Sequence, residues 1–448
     1  MIQLRNEQAS VVIESSPQQA DPSRTPHGRQ ISIGLICLGI FVLAFAVRIA
    51  LLYTTRSYLE EEHSEVTNVA SSLASGRGFA SAYWNTGPTA HTSPLYPLLL
   101  SLVYRSFGTG VTGEIAQEVL SCFLAALTWA LLPFLAEVCH LDRRVGIGAA
   151  LAGALFTINR WTETKGSFET AMASLACLLM VIFYMRCWQS RDFSILTGVL
   201  AGAISGLAIL VSGSLASIVI GLLLAGFILF RAQRWQYVRF ALLTLVVILA
   251  TLLPWALRNY SVLGALVWTR DNFPLELMVS NNDDARPTLD ANQTALCKYH
   301  PFTSPAQRAA VRSMGELAFE KKMKAEAITW ITSHPQRFAW LTLQRAYLFW
   351  FPQMKRPTQT AALAILTLLS IPGMFFLLKQ RQLIGYGLLA ILLTYPLVYY
   401  IVQMHPRYAY PIQWSLYLLS AQSVLLAYLG WKNRQAAVPG QNLATGNH

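Results

Sequence analysis

Residues 60–107 read EEEHSEVTNVASSLASGRGFASAYWNTGPTAHTSPLYPLLLSLVYRSF, and the reading of this stretch sets the topology of the whole chain. It follows an uncharged window, residues 30–47, long enough for a hydrocarbon core of about 30 Å. Within the stretch, Val66, Val69, Ala70 and Leu73 recur at helical spacing, with Glu61, Glu65, Asn68 and Ser72 on the opposite face. This pattern predicts an amphipathic helix at a membrane surface. Ser75-Gly76-Arg77-Gly78-Phe79 ends it with glycines able to take positive φ, and Thr86-Gly87-Pro88-Thr89 is a tight-turn sequence. Residues 94–107 are apolar but short and open on Ser93-Pro94, which predicts a second interfacial helix rather than a span.

Of the 448 residues, 54% are hydrophobic and 12% charged, and the mean hydropathy is +0.42, a combination foreign to soluble domains. The chain is a polytopic membrane protein, predicted to be all-α. Further apolar windows lie at 119–136, 145–159, 170–185, 193–230, 240–257, 357–378, 382–406 and 408–431. The 193–230 window is long enough for two spans separated by a turn at 211–214, giving about ten transmembrane helices in all. Basic residues are retained in cytoplasmic loops. Arg5, Arg24 and Arg29, Arg143 with Arg144, Arg186 with Arg191, Arg231 with Arg234 and Arg239, Lys379 with Arg381, and Lys432 with Arg434 all fall inside on this count. An eleventh span at 94–107 would place Arg143 and Arg144 outside.

The domain plan follows. Residues 1–30 are expected to be a polar, disordered cytoplasmic tail, and 31–256 an N-terminal transmembrane module with a catalytic first outer loop at 54–113. Residues 257–358 form a mostly helical extracytoplasmic segment, 359–431 the C-terminal membrane helices, and 432–448 a second cytoplasmic tail. The setting expected is a bacterial inner membrane, with both termini in the cytoplasm. The net charge of +12 is spread over cytoplasmic loops, so topology accounts for it and nucleic acid is not expected as a partner. Five of the six cysteines fall within or at the ends of spans and only Cys297 lies in the large outer segment, which excludes an outer disulfide framework. No His or Cys cluster has zinc-ligand spacing, and no phosphate-binding glycine loop is present.

The outer side holds the candidate chemistry. Glu61 and Glu65 are one helical turn apart; mutual repulsion and partial desolvation would raise the pKa of at least one and suit it to general-base work. A hydrated acidic face is the plainer reading of the same pattern. Glu169 opens the fourth span, where a carboxylate also favours the helix dipole. Ser304-Pro305 with Gln307 predicts the start of a helix running to about Thr332. Phe319, Met323, Ala327 and Trp330 form its apolar face, with Glu316, Glu320 and Lys324 turned away. Residues 337–350 form a further amphipathic helix carrying Arg345 among aromatics; such an arginine can pair with a lipid phosphate or simply anchor the helix. Arg407 lies outside in a short loop, against the positive-inside bias, which points to a functional anion.

The ordered series Glu65-Val66-Thr67-Asn68-Val69-Ala70 through Gly76-Arg77-Gly78-Phe79, Thr86-Gly87-Pro88-Thr89-Ala90 to Pro94-Leu95-Tyr96-Pro97, Pro254-Trp255 to Arg258-Asn259-Tyr260, Glu276 with Asn281-Asn282, and Arg407-Tyr408 resembles the GT-C class of polyprenyl-phosphate-dependent glycosyltransferases. That class includes the protein O-mannosyltransferase and lipid A aminoarabinose transferase families, and the resemblance spans roughly residues 31–430. It implies a GT-C-like helical bundle, a polyprenyl-phosphate-linked sugar as donor, and a glycan, lipid or protein hydroxyl as acceptor. Glu65 resembles the acid that activates the acceptor. Many relatives carry an Asp-Glu pair there, and Glu60-Glu61-Glu62 lies just upstream, so Glu61 and Glu62 are alternative bases. Glu169 is similar to the second outer acid, which in relatives helps form the site or a metal site, so a divalent cation is a candidate cofactor. Arg270, Arg345, Arg407 and Tyr408 are the implied donor-phosphate residues, and Ala409 follows where relatives often add a second basic residue. His91, Tyr96, Glu276, Asn281 and Asn282 are the implied substrate contacts. The implied reaction is a single displacement with inversion at the anomeric carbon. A lipid-linked sugar transporter or flippase is the competing class; it would need ionisable or broken-helix features at the bilayer midplane in two repeated halves.

Overall fold

A computed structural model describes residues 32–60 and 62–436. Helix dominates them, and the only strand-like pairings are isolated bridges at Ala80 with Pro88 and Thr288 with Met404. Seven helices are long and apolar enough to cross a membrane: Ile33–Thr55, Val111–Val138, Thr170–Ser190, Arg231–Leu263, Pro357–Lys379, Leu383–Tyr400 and Tyr410–Gln435. Three shorter ones, Arg143–Leu155, Ile195–Val211 and Gly213–Leu229, complete the series of ten at the places the apolar windows mark.

Loop contacts show which helix ends lie together. Lys165, just after the short Arg160–Thr164 helix, donates to the Ser57 carbonyl at 2.9 Å and reaches Glu118 at 3.1 Å and Glu114 at 3.6 Å. The end of the first span, the start of the second and the 160–169 loop are therefore at one end of the bundle. Leu95–Phe107, 13 residues or about 20 Å long, packs along Glu65–Ala74 and returns the chain to that same end without crossing. Both short helices expected in this stretch are thus present.

A charge inside the first span is explained by its partners. Arg48 is fully buried, donates to the carbonyls of Ala44 and Gly153, and meets the Glu163 carboxylate at 3.0 Å. Glu163 also accepts from Trp129 at 3.2 Å and Tyr410 at 2.9 Å. Five separate segments are tied at one buried point. Close helix approach depends on small residues: a Cβ at Gly153 would stand 2.0 Å from the Trp129 ring, and one at Gly373 2.1 Å from the Leu419 carbonyl.

Two expectations about the segment after residue 257 are corrected. The helix from Pro305 stops at Met314, because Gly315 takes φ of 81° and a second helix, Glu316–Ser333, starts from it. Glu316 and Glu320 are buried, at 5% and 4% exposure, although they lie off the apolar face of that helix. The first loop folds over Glu316, which accepts from Thr89 Oγ1 and from the Ala90 amide, and the Phe273–Ser280 helix covers Glu320, which accepts from the Leu275 amide at 2.9 Å. All six cysteines are free, with Cys297 exposed, as the sequence requires.

Candidate functional site

The loops at the end of the bundle that carries the 160–169 loop enclose a cavity of about 1180 Å³. Its wall takes residues from 51–66, 158–173, 212–217, 269–276, 353–359 and 395–411, so nearly every connection at that end contributes.

The acidic wall comes from the first loop. Ser64 starts the Glu65–Ala74 helix by accepting from the Thr67 amide at 3.1 Å while Thr67 Oγ1 accepts from the Ser64 amide at 2.9 Å, a reciprocal cap. Glu65 is therefore the first helical residue, where the dipole favours its charge. Its carboxylate lies 3.7 Å from His300 Nε2, and the same nitrogen is 3.9 Å from Glu276. Glu62 precedes the helix. A clasp holds it: Ser64 donates to the Ser167 carbonyl at 2.7 Å, and the Ser167 hydroxyl donates back to Glu62 at 2.7 Å. Burial raises the Glu62 carboxyl above the usual range, against the opposing pull of the Ser167 hydroxyl, Lys165 and Arg407. Because the helix begins only at Glu65, the expected one-turn pairing with Glu61 has no helical basis; Glu61 itself lies outside the described residues.

The basic wall faces it. Arg407 sits in the short Pro406–Tyr408 turn, whose preceding His405 accepts from the Arg407 amide at 3.3 Å. The guanidinium carbon stacks 3.6 Å from the Phe168 ring centre and 5.2 Å from that of Tyr408. Burial opposes its charge, but Tyr408, Glu65 and Glu169 outweigh burial and hold it above its ordinary value. His405 beside it is pushed down to about 3 by burial, Arg407 and Lys355, so it stays neutral. Arg270 reaches Glu169 at 3.5 Å across the cavity. Acids and arginines thus meet in one water-accessible space, with aromatic faces between them.

The cavity brings together Glu62, Glu65, Glu169, Arg270, Glu276, His91, Arg407 and Tyr408. Four other expected site residues stand away from its lining. Arg345 is fully buried and donates to Asn281 Oδ1 at 3.1 Å, to the Ile401 carbonyl at 3.2 Å and to the Ser280 carbonyl. It ties the Pro335–Trp350 helix to two loops. Asn281 donates to the Leu277 and Ile401 carbonyls, and Asn282 to Met278 and Val279, closing the Phe273–Ser280 helix. Tyr96 is buried with its hydroxyl on the Gly166 carbonyl. His300, Lys165 and Ser167 are site or support residues that the sequence reading did not single out.

Among the described residues, one group of three or more His, Cys, Asp or Glu brings its ligand atoms within 4.8 Å of one another, and it is His91, Asp271 and Glu320. Glu62, Glu65 and Glu169 form no such group.

No family model and no curated protein matches this sequence. Solved structures do match. An apo crystal structure of the Archaeoglobus fulgidus oligosaccharyltransferase aligns over 91% of this chain and 53% of its own, at 15% identity and a TM-score of 0.54. The same organism's oligosaccharyltransferase AglB, in complex with an inhibitory peptide and a dolichol-phosphate, aligns over 91% and 52% at 15% identity and a TM-score of 0.51. A third, tethered to an acceptor peptide containing the NVT sequon, gives 90%, 51%, 16% and 0.52. The fold is GT-C. The chain spans about half the length of the oligosaccharyltransferases it resembles. At these identities the likeness concerns the helical scaffold, and the chemistry has to be argued from the cavity.

Proposed function

We propose that this protein is an inverting glycosyltransferase that moves a sugar from a polyprenyl-phosphate donor to a hydroxyl acceptor. The observation that carries the reading is the meeting of Glu62, Glu65 and Glu169 with Arg407 and Arg270 around one cavity at a single end of a membrane bundle. That the similar AglB structure holds a dolichol-phosphate supports a lipid phosphate as ligand. The positive-inside pattern assigns this end to the extracytoplasmic face of a bacterial inner membrane, with both termini cytoplasmic. In this scheme the catalytic acids belong to the first outer loop, residues 54–113, and the 257–358 segment supplies Arg270, Glu276 and His300.

Arg407, stacked on Phe168, holds the donor phosphate, with Arg270 beside it and Tyr408 closing the pocket. Glu62 is the base. Its carboxyl is desolvated and raised, which matches a proton acceptor for a hydroxyl better than a fully hydrated acid does. Glu65 is held toward His300 and Glu276 and orients the acceptor side. As the acceptor oxygen bonds to the anomeric carbon, its proton passes to Glu62, and the sugar–phosphate C–O bond breaks with its electron pair on the phosphate. Arg407 meets that new charge. Glu62, Glu65 and Glu169 lack the mutual approach of a three-residue cation site, and no step here runs through a metal.

Purified protein in lipid nanodiscs, given a labelled polyprenyl-phosphate sugar and cell-envelope acceptors, should transfer label in the wild type and lose transfer in Glu62→Gln and Arg407→Gln. Labelled donor crossing the bilayer intact, with no transfer to any acceptor, would favour a transporter.

A further inference from the structure

Behind the reaction cavity lies a second constellation that the transfer scheme does not use. Glu316 and Glu320 are buried carboxyls near His91, and the partly buried Asp271 joins them. Glu316 and Glu320 spend hydrogen bonds on Thr89, Ala90 and Leu275. Asp271 differs. Both of its carboxylate oxygens are shielded from solvent and receive no N–H or hydroxyl donor; the side chain they face is the Glu316 carboxyl, itself an acid, and the Asp271 amide is fixed on the Ala90 carbonyl at 3.1 Å. Two acids held face to face in the interior are costly unless a shared proton or a cation satisfies them. Arg258, whose charge acts on Glu316, is committed to the Thr89 and Phe79 carbonyls, each at 2.7 Å.

We propose that His91, Asp271 and Glu320 bind a divalent transition-metal cation, of the Zn²⁺ or Mn²⁺ kind, with Glu316 bordering the site. Their ligand atoms already lie within 4.8 Å of one another. Bonds of about 2.0–2.2 Å at tetrahedral angles place ligand atoms about 3.3–3.6 Å apart, so side-chain adjustment of up to about an ångström closes the set. One imidazole with carboxylates selects such metals over Mg²⁺ or Ca²⁺, which prefer all-oxygen shells. The Tyr83 hydroxyl lies 2.8 Å from Nδ1 and 3.0 Å from Nε2 of His91, so it can satisfy one ring nitrogen and leave the other for the metal.

The three ligands come from the first loop, the segment after the Arg234–Leu263 helix and the Glu316–Ser333 helix. A cation there clips these segments together. Two of them carry cavity residues: His91 itself, and Arg270 next to Asp271. The cation positions that wall and takes no part in bond making.

The test is metal content and thermal unfolding of the full chain in detergent, after dialysis against micromolar Zn²⁺ or Mn²⁺ and then against buffer. The wild type should retain about one equivalent per chain, and chelation should lower its Tm reversibly. Asp271→Asn and Glu320→Gln should lose the equivalent, Tyr83→Phe should weaken binding by about 10-fold, and Glu62→Gln, whose lesion is on the reaction side, should keep it. Wild-type protein that retains no metal and shows no Tm response to either ion overturns the site without recourse to any variant. Equal retention by the doubly substituted Asp271→Asn, Glu320→Gln protein would assign the metal elsewhere and overturn it too.

Discussion

Replacing Arg407 with glutamine tests the donor-phosphate assignment where its electrostatics are most exposed. The donor is a phosphodiester with one negative charge, and the departing polyprenyl phosphate gains a second, so about half a charge develops at the transition state. A guanidinium about 4 Å from that oxygen, at an effective dielectric of about 20, interacts with a full charge by about 4 kcal/mol, and with half a charge by about 2. Losing it should lower kcat by about 30-fold. The charge already present on the donor adds a rise in KM, because that part is lost equally from ground and transition states. Arg407→Lys keeps the charge but gives up the planar stack on Phe168, at 3.6 Å, and should recover only part of the rate. The assay is transfer of labelled sugar from a polyprenyl-phosphate donor in nanodiscs, with kcat and KM resolved. A folded Arg407→Gln protein whose kcat stays within about three-fold of wild type would refute the reasoning.

Glu62→Gln should lower the transfer rate by about 100-fold or more. The raised Glu62 carboxyl is protonated, and so idle as a base, below its pKa, so the acid limb of the wild-type kcat/KM profile should lie above the ordinary glutamate value of about 4.3. That limb should be absent from the residual activity of the variant; an unchanged limb would move the base to another residue. Arg48→Met leaves Glu163 buried without its cation and should cost about 3–5 kcal/mol of stability, read as a fall in Tm in detergent. Adding Glu163→Gln should return part of the loss. Gly153→Ala drives a Cβ to 2.0 Å from Trp129 and should destabilise by about 1–3 kcal/mol, whereas Gly148→Ala, whose nearest neighbour would be 3.8 Å away, should be nearly silent in the same melt.

Much of the scaffold was legible because membrane insertion writes itself into sequence as long uncharged windows and lopsided basic loops. The decisive reading, that residues 94–107 do not cross, followed from length and the Ser-Pro opening. Charges paired across the bundle were another matter. Arg48 ended the first apolar window and looked like a boundary, since nothing local announces that Glu163, more than a hundred residues on, neutralises it. Glu316 and Glu320 looked solvated because helical periodicity reports one face, and the Thr89–Ala90 turn that covers the other comes from far upstream. Arg345 shared its aromatic setting with a phosphate-binding arginine, and only the carbonyls of Ser280 and Ile401 show how it is used. Lone histidines such as His300 carry no spacing signal, so its place between Glu65 and Glu276 emerged only from the packing.

The most direct measurement is a cryo-EM structure of the wild-type chain in nanodiscs with polyprenyl phosphate added. Phosphate density in hydrogen-bond contact with the Arg407 guanidinium, facing Glu62 across the cavity and with the lipid tail leaving between spans, is the predicted result. Phosphate bound at the opposite end of the bundle, or lipid excluded from this cavity at saturating concentration, would contradict the account.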